Sequence, residues 1–249
     1  MGQAGSRSVR ADLLGSRTMR LIAPPPFPIP DEAGPRPAPE PGPGSGTRIW
    51  LVRHAEVHAD WHARAYGNTD VPLSEKGEQQ TRAMGASFTG VRLDLVVASQ
   101  LARARAMGEG IARASGAPLT IDERLKEIWR GEWQGLPSNE FRRRWDLEKE
   151  LFLADPWNWK GHKGESDADV FARAWPVLLE SIARARGGTL ALASHYNVIR
   201  VLVTRAMGWR PHESFAFQND PAHAARIVDA PGGWRLEAQN LESAGAGEN

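Results

Sequence analysis

Uninterrupted apolar runs include Ile49-Trp50-Leu51-Val52, Val96-Val97-Ala98 and Leu190-Ala191-Leu192-Ala193. Short unbroken runs of this kind suit strands covered on both faces, as in a parallel sheet. They predict strands over 47–53, 93–99 and 189–194, with a further extended piece at 119–121. Between them the spacing turns helical. A helix is expected from 73 to about 88, with Ser74 as its N-cap, and others over 101–114, 138–153, 167–186 and 198–207. Asp155-Pro156-Trp157-Asn158-Trp159 breaks the third of these, and Pro176 predicts a kink or a junction in the fourth. Residues 224–228 and 234–237 read as an edge hairpin. Alternating strand and helix signals define an α/β domain with a largely parallel sheet, and no internal repeat is present.

The first 46 residues follow neither rhythm. Proline, glycine and alanine dominate from Ala23 to Gly46, as in Pro24-Pro25-Pro26 and Pro35-Arg36-Pro37-Ala38-Pro39. Such a stretch has too little apolar surface to offset its ordering entropy, so a disordered or polyproline-like arm is expected over 1–46. The folded domain is expected over 47–249. At the start, Arg7, Arg10, Arg17 and Arg20 face a single acid, Asp12, which faintly suggests a transit peptide. Met1-Gly2-Gln3-Ala4-Gly5-Ser6 also fits a loose myristoylation pattern, and Met19 is an alternative start.

Composition narrows the function classes. The 249 residues, 41% of them hydrophobic, suffice for one large domain or two small ones. A formal charge of +1 argues against a general polyanion binder, so nucleic acid is not an expected partner and any phosphate affinity must come from locally placed arginines. Without cysteine there are no disulfides, thiol nucleophiles or thiolate metal sites. No apolar run approaches the roughly 18 to 20 residues of a membrane-spanning helix. A soluble protein without membrane partners is expected.

Candidate chemistry sits at the ends of the predicted strands. Arg53-His54-Ala55 closes the first, Leu101-Ala102-Arg103 follows the second, and Ser194-His195 closes the last, with Leu125-Lys126-Glu127 between them. Ligands of open α/β sheets gather at such strand ends. Singly, each residue has a plain alternative. His54 and His195 suit a satisfied core histidine, Arg103 a solvated helix face, and Glu127 a surface acid near Lys126 and Arg130. His54, His58 and His62 have a spacing that a helical metal site would use, but His54 belongs to a strand end, so no metal is expected.

In order along the chain, these segments resemble the histidine phosphatase superfamily, also called the phosphoglycerate mutase-like fold. Arg53-His54-Ala55-Glu56 matches its Arg-His-Gly strand end, and Gly67-Asn68-Thr69-Asp70-Val71-Pro72-Leu73-Ser74-Glu75-Lys76-Gly77 its second motif. Ser99-Gln100-Leu101-Ala102-Arg103-Ala104, Leu125-Lys126-Glu127 with Gly131-Glu132-Trp133-Gln134-Gly135, Gly164-Glu165-Ser166 and Ser194-His195 complete the set. The resemblance implies a three-layer α/β/α sandwich around a mostly parallel sheet, with a small helical cap insert at about 137–165. It implies that His54 attacks phosphorus, that Arg53, Arg103 and His195 cradle the phosphoryl group, that Glu127 is the acid and base, and that no cofactor is needed. Glu165 and Ser166 either begin the next helix or support the site.

Departures from the family pattern bear on substrate. Ala55 stands for the usual glycine, Val57 replaces a common Thr or Ser, and Asp60 falls where an Asn often contacts substrate. Ala106-Met107 and Tyr196-Asn197 are also unusual, with Tyr196 expected to narrow the pocket mouth. Tyr196 and Asp60 therefore join Arg53, Arg103 and His195 as expected substrate-contacting positions. Trp50, Trp129, Trp133 and Trp175 are expected in the core. Trp145, Trp157 and Trp159, with Arg142, Arg143, Arg144, Lys160 and Lys163, are expected to offer aromatic faces and positive charge from the cap. A metal-independent phosphomonoesterase acting on a small phosphorylated metabolite is thus expected, as a cytoplasmic monomer or homodimer. The alternatives are a phosphoglycerate-type mutase and a non-catalytic phosphate-binding scaffold.

Overall fold

The computed structural model describes residues 37–245. Six strands form one sheet in the order β3-β2-β4-β1-β5-β6: β1 (Thr47–Arg53), β2 (Leu95–Ala98), β3 (Leu119–Ile121), β4 (Thr189–Ser194), β5 (Ala224–Ala230) and β6 (Gly233–Leu241). The first four are mutually parallel; β5 runs antiparallel to β1, and β6 antiparallel to β5. The expected hairpin is present and longer than its apolar signal. Of the hairpin's two strands only β6 is an edge, since β5 pairs with β1 on its other side; β3 is the opposite edge of the sheet.

Alternation along the strands divides the core in two. Ile49, Leu51, Leu95, Val97, Leu190 and Leu192 turn to one face, against α4 (Asp167–Ala185) and α5 (Tyr196–Met207). Trp50, Val52, Val96, Ala98, Ala191 and Ala193 turn to the other. There α1 (Glu75–Ala86) supplies Met84 and α2 (Ala102–Ser115) supplies Met107 and Ile111. The result is the three-layer α/β/α sandwich, because side chains two apart share a face and both faces are apolar. Pro176 lies inside α4, which continues on both sides of it, so it marks no junction.

Ser74 caps α1 as expected, its Oγ accepting from the Gly77 backbone N at 2.9 Å. At Gly77 a Cβ would stand 1.9 Å from the Glu56 carbonyl oxygen, so only glycine lets the first turn of α1 approach the segment after His54 this closely. The helix α3 (Ser138–Ala154) and the loop to residue 165 form the cap. Trp133, Trp145 and Phe152 are its buried centre, with Trp159 packed against them. The cap tryptophans Trp145 and Trp159 therefore meet each other edge-on, at 5.5 Å between ring centres, and build the cap's own core. Trp129, expected in the core, is 46% exposed, because its segment is held by backbone bonds instead of by its ring.

Part of the segment expected as the arm is described. Residues 37–46 lack regular secondary structure but are fastened to the domain. Glu40 pairs with Arg205, Trp234 Nε1 donates to the Glu40 carbonyl at 2.9 Å, and the Gly44 and Ser45 backbone N–H groups donate to Asp229 at 2.8 and 2.7 Å. The rest of the expected arm, residues 1–36 with the transit-like and myristoylation-like segments, lies outside the described residues. Among the described residues no helix is long and apolar enough to cross a membrane.

Candidate active site

Each of the four parallel strands delivers one part of a single cluster at its C-terminal end. Strand β1 ends at Arg53 and is followed by His54; β4 is its neighbour, Arg53 standing opposite Ser194 in the register, so His195 emerges beside His54. The two imidazole centres lie 5.1 Å apart. Arg103 is in the first turn of α2, directly after β2. Glu127 follows β3 through the single turn Glu123–Leu125, whose last carbonyl accepts from Ser194 Oγ at 2.8 Å. All five residues are buried, Arg103 and His195 completely.

Hydrogen bonds fix how the rings face. His54 Nδ1 lies 2.7 Å from the Ala55 carbonyl, which can only accept, so that nitrogen carries the proton. Its Nε2 is left with a lone pair, and Arg103 Nε donates toward it at 3.4 Å. Burial, then the charges of Arg103 and Arg53, hold the His54 pKa well below the ordinary histidine value. His195 is depressed in the same direction by burial, Arg103 and His54. His195 Nε2 pairs with Ser99 Oγ at 2.9 Å, and its Nδ1 has no partner among the described residues.

The second motif holds Arg103 in place. Its terminal nitrogens donate to the carbonyls of Thr69 at 2.8 Å and Gly67 at 3.0 Å, and its guanidinium lies over the Tyr66 ring. Asp70 accepts from the Ala102 backbone N, tying the same loop to the start of α2. Arg53 donates to the Asn219 carbonyl and faces the Tyr196 ring at 5.3 Å, while its Nε is buried without a partner. An uncharged imidazole lone pair flanked by two fixed guanidinium groups suits attack on an anionic electrophile, whose charge those groups would offset.

Glu127 is held from the other side. Its Oε1 accepts from the Ile128 backbone N at 2.8 Å, and its Oε2 lies 3.4 Å from the Asn197 backbone N, at the start of α5. Arg173 braces this segment, donating to the carbonyls of Arg124 and Glu127 and pairing with Glu165 at 2.7 Å. Glu165 also accepts from the Trp129 backbone N. Of the two roles open to Gly164-Glu165-Ser166, each is taken by a different residue. Ser166 caps α4 in a capping box with Asp169, and Glu165 supports the Glu127 segment.

Asp60 is not part of this cluster. Its side chain is 84% exposed on the turn Ala59–Trp61 and pairs with His58. Tyr196 is brought close but as the first residue of α5, which begins two residues before its apolar pattern. The cap's cations are largely satisfied locally: Arg143 and Arg144 by Glu140, Lys160 by Asp169 and Lys163 by Glu132. Among the described residues no three of His, Asp and Glu gather as a metal site, and His54, His58 and His62 share no helix.

Residues that carried no strand-end signal complete the site. A small cleft reaches Glu127 and is lined also by Tyr66, Arg130, Phe141 of the cap and Asn197. Behind it, Arg200 and Asp167 form a buried two-pronged ion pair, with contacts of 2.8 and 2.6 Å. Gln134 ties the cleft's loops together, accepting from the Arg130 backbone N and donating to the Tyr66 carbonyl. Gly131 takes φ +51, and a Cβ there would stand 2.1 Å from the His162 carbonyl, so this turn needs glycine.

Parallel strands converging on buried histidines and arginines define a phosphate-handling α/β enzyme, and comparison with known proteins agrees. Residues 49–242 match the histidine phosphatase superfamily (branch 1), and the chain belongs to that family of phosphatase-class enzymes. It is 29% identical over 168 residues to the glucosyl-3-phosphoglycerate phosphatase of Mycolicibacterium vanbaalenii, covering 65% of this chain and 74% of that one. To the 2,3-bisphosphoglycerate-dependent phosphoglycerate mutase of Mesorhizobium japonicum it is 32% identical over 162 residues, covering 61% and 78%. The native structure of a mycobacterial glucosyl-3-phosphoglycerate phosphatase superposes with a TM-score of 0.67 at 26% identity, covering 78% of this chain and 98% of that one.

Proposed function

We propose that the protein hydrolyses a small phosphate monoester through a phosphohistidine on His54, without a metal. The observation that carries this reading is the state of His54. Its proton is on Nδ1, its Nε2 lone pair faces Arg103, and it stays uncharged through the neutral range. In the first step Nε2 forms a bond to phosphorus as the ester P–O bond breaks, and the Glu127 carboxyl gives its proton to the departing alkoxide. In the second, water attacks phosphorus and the P–N bond breaks. The water's proton passes to Glu127, so the acid is restored and orthophosphate leaves. Arg53, Arg103 and the unpartnered His195 Nδ1 offset the charge that spreads over the phosphoryl oxygens.

The test is hydrolysis of para-nitrophenyl phosphate with EDTA present, paired with acid-quenched trapping of phosphoenzyme. Wild type should turn over and trap label, and His54→Ala should do neither. Undiminished turnover in His54→Ala overturns the nucleophile assignment. The similarity to a phosphoglycerate mutase favours one second reading, in which the phosphoryl group returns to an alcohol instead of to water. Isomerisation of 3-phosphoglycerate outpacing phosphate release identifies that case.

A further inference from the structure

An aromatic ladder connects the cap to the hairpin edge of the sheet. Trp157, on the loop that leaves α3, lies 5.8 Å from Phe171 of α4; Phe171 lies 5.2 Å from Trp175, and Trp175 5.5 Å from Trp234 of β6. Trp157 is a cap ring that packs on the larger core, whereas Trp145, Phe152 and Trp159 belong to the cap's own cluster. Arg205, in the last turn of α5, lies over the first two rings of the ladder. Its guanidinium carbon is 5.2 Å from the centre of Trp157 and 5.4 Å from that of Phe171. The negative faces of two rings attract one cation, so Arg205 holds Trp157 to α4.

One residue of the segment before β1 closes this arrangement. The Glu40 carboxylate pairs with Arg205, its backbone N donates to the Arg205 carbonyl at 2.9 Å, and its own carbonyl accepts from Trp234 Nε1 at 2.9 Å. Glu40 therefore touches the ladder at its last ring and at the cation over its first two. The segment is fastened on both sides of Glu40. Pro37 and Pro39 lie on Gly208, where a Cβ would stand 2.8 Å from the Pro37 carbonyl oxygen. Asp229, 1% exposed, accepts from the backbone N of Gly44 and Ser45 and from Ser45 Oγ. Detaching the segment would strip those bonds from a buried carboxylate, which makes residues 37–46 a working part of the folded domain.

The loop that Trp157 anchors runs on to the wall of the cleft. The His162 carbonyl accepts from the Glu132 backbone N at 2.9 Å, and the Glu165 backbone N donates to the Trp129 carbonyl at 2.9 Å, on either side of the cleft residue Arg130. We propose that Glu40, acting through Arg205 and Trp157, is a positioning residue for the cap. It fixes the loop over 155–165 against the segment over 129–132, and so sets how tightly the alcohol part of a substrate is held, with no part in phosphoryl transfer. The effect on substrate rests on the phosphomonoesterase reading, whereas the anchoring of the loop does not.

Two measurements on the full chain test this. Amide hydrogen exchange reads the loop directly: Glu40→Gln should speed exchange over 155–165 about threefold or more and leave β1 and β4 unchanged. Kinetics on para-nitrophenyl phosphate read the consequence. Glu40→Gln should raise KM about threefold or more with kcat within about twofold, while inhibition by inorganic phosphate, which needs only the strand-end groups, stays the same. Glu40→Asp, which keeps the carboxylate, should fall between wild type and Glu40→Gln. Trp157→Leu should have both effects, and adding Glu40→Gln to it should do little more, because the two act through one contact. Ser45→Ala weakens the same segment without touching Arg205, so it should lower the urea midpoint and leave KM unmoved. Unchanged exchange over 155–165 in Glu40→Gln overturns the anchoring. Faster exchange with an unchanged KM, or an equal KM effect in Ser45→Ala, overturns the positioning role, and fully additive losses overturn the route through Trp157. Failure of the wild type to turn over para-nitrophenyl phosphate overturns the phosphatase reading and leaves the exchange measurement to decide the anchoring.

Discussion

Acidification from pH 7.5 to 5.0 should remove much of this protein's stability before its carboxylates titrate. Three histidines, His54, His195 and His162, are buried with pKa values pushed below the ordinary histidine value, His162 to about 3. The folded state therefore binds fewer protons than the unfolded state as pH falls through the unfolded value near 6.5. Stability rises with pH wherever the unfolded state binds more protons, so the contribution is complete above about pH 6.5 and is lost below it. At pH 5.0 His162 should cost about 2 kcal/mol, and His54 and His195 add losses of the same sign up to that size each, against a typical total of 5–15 kcal/mol. His212, lowered mainly by partial burial, adds a smaller loss of the same sign. Glu56, Asp122 and Asp169 are depressed carboxylates, so their losses come only below about pH 4.5. Urea unfolding at half-unit steps measures the slope directly, and nearly three protons should be taken up on unfolding near pH 5.5. The variant His162→Asn, which keeps an acceptor for the Gly164 backbone N, should remove about one proton from that slope. A wild-type loss under about 2 kcal/mol across this range would refute the claim that these rings stay neutral in the fold.

Two further perturbations probe separate parts of the site. Glu127→Gln keeps the volume and removes the proton, so turnover of alkyl phosphates should fall about 100-fold or more, with a much smaller loss on para-nitrophenyl phosphate, whose leaving group needs no acid. Equal losses on both would deny Glu127 the proton. Asp167→Ala strands the buried Arg200 charge and should cost about 3–5 kcal/mol in chemical denaturation. Joining Arg200→Met to Asp167→Leu should recover most of that, because the pair's desolvation cost disappears with it; a double variant as unstable as Asp167→Ala would show that the pair's net attraction dominates.

The sheet was legible because its strands are covered on both sides. Ile49 to Val52 and Leu190 to Ala193 have no polar interruption, and that pattern suits only a central parallel strand. Arg53, His54, Arg103 and His195 were legible for the same reason, since strand ends locate them without any knowledge of loops. Glu127 was reached only through its motif. The start of α5 was misplaced by two residues because Tyr196 and Asn197 are not part of an apolar stripe, yet both are buried as the helix runs into the sheet's C-terminal edge. Residues 37–46, expected in the arm, are a different case. Proline and glycine content describes what a segment can bury by itself, whereas residues 37–46 are held by groups of the domain, Arg205, Trp234 and Asp229.

The cap shows why a leaving-group subsite is harder to read than a phosphate site. Arginine-rich composition between residues 142 and 144 suggested charge available to substrate, but helical spacing places Glu140 within reach of Arg143 and Arg144, and they satisfy one another. Arg130 has no such helical neighbour, and the acids whose charge reaches it are Glu127 of its own loop and Asp167 of α4. The left-handed turn at Gly131, packed on the backbone at His162, and the bond from the Arg130 backbone N to Gln134 set its segment apart from the cap's acids. Which charges are satisfied internally is decided by helical spacing and loop packing instead of composition. The phosphate end of the site follows from four parallel strands ending together. The end that would distinguish one ester from another has no such strand signal, because it is built by loops and by the cap residue Phe141.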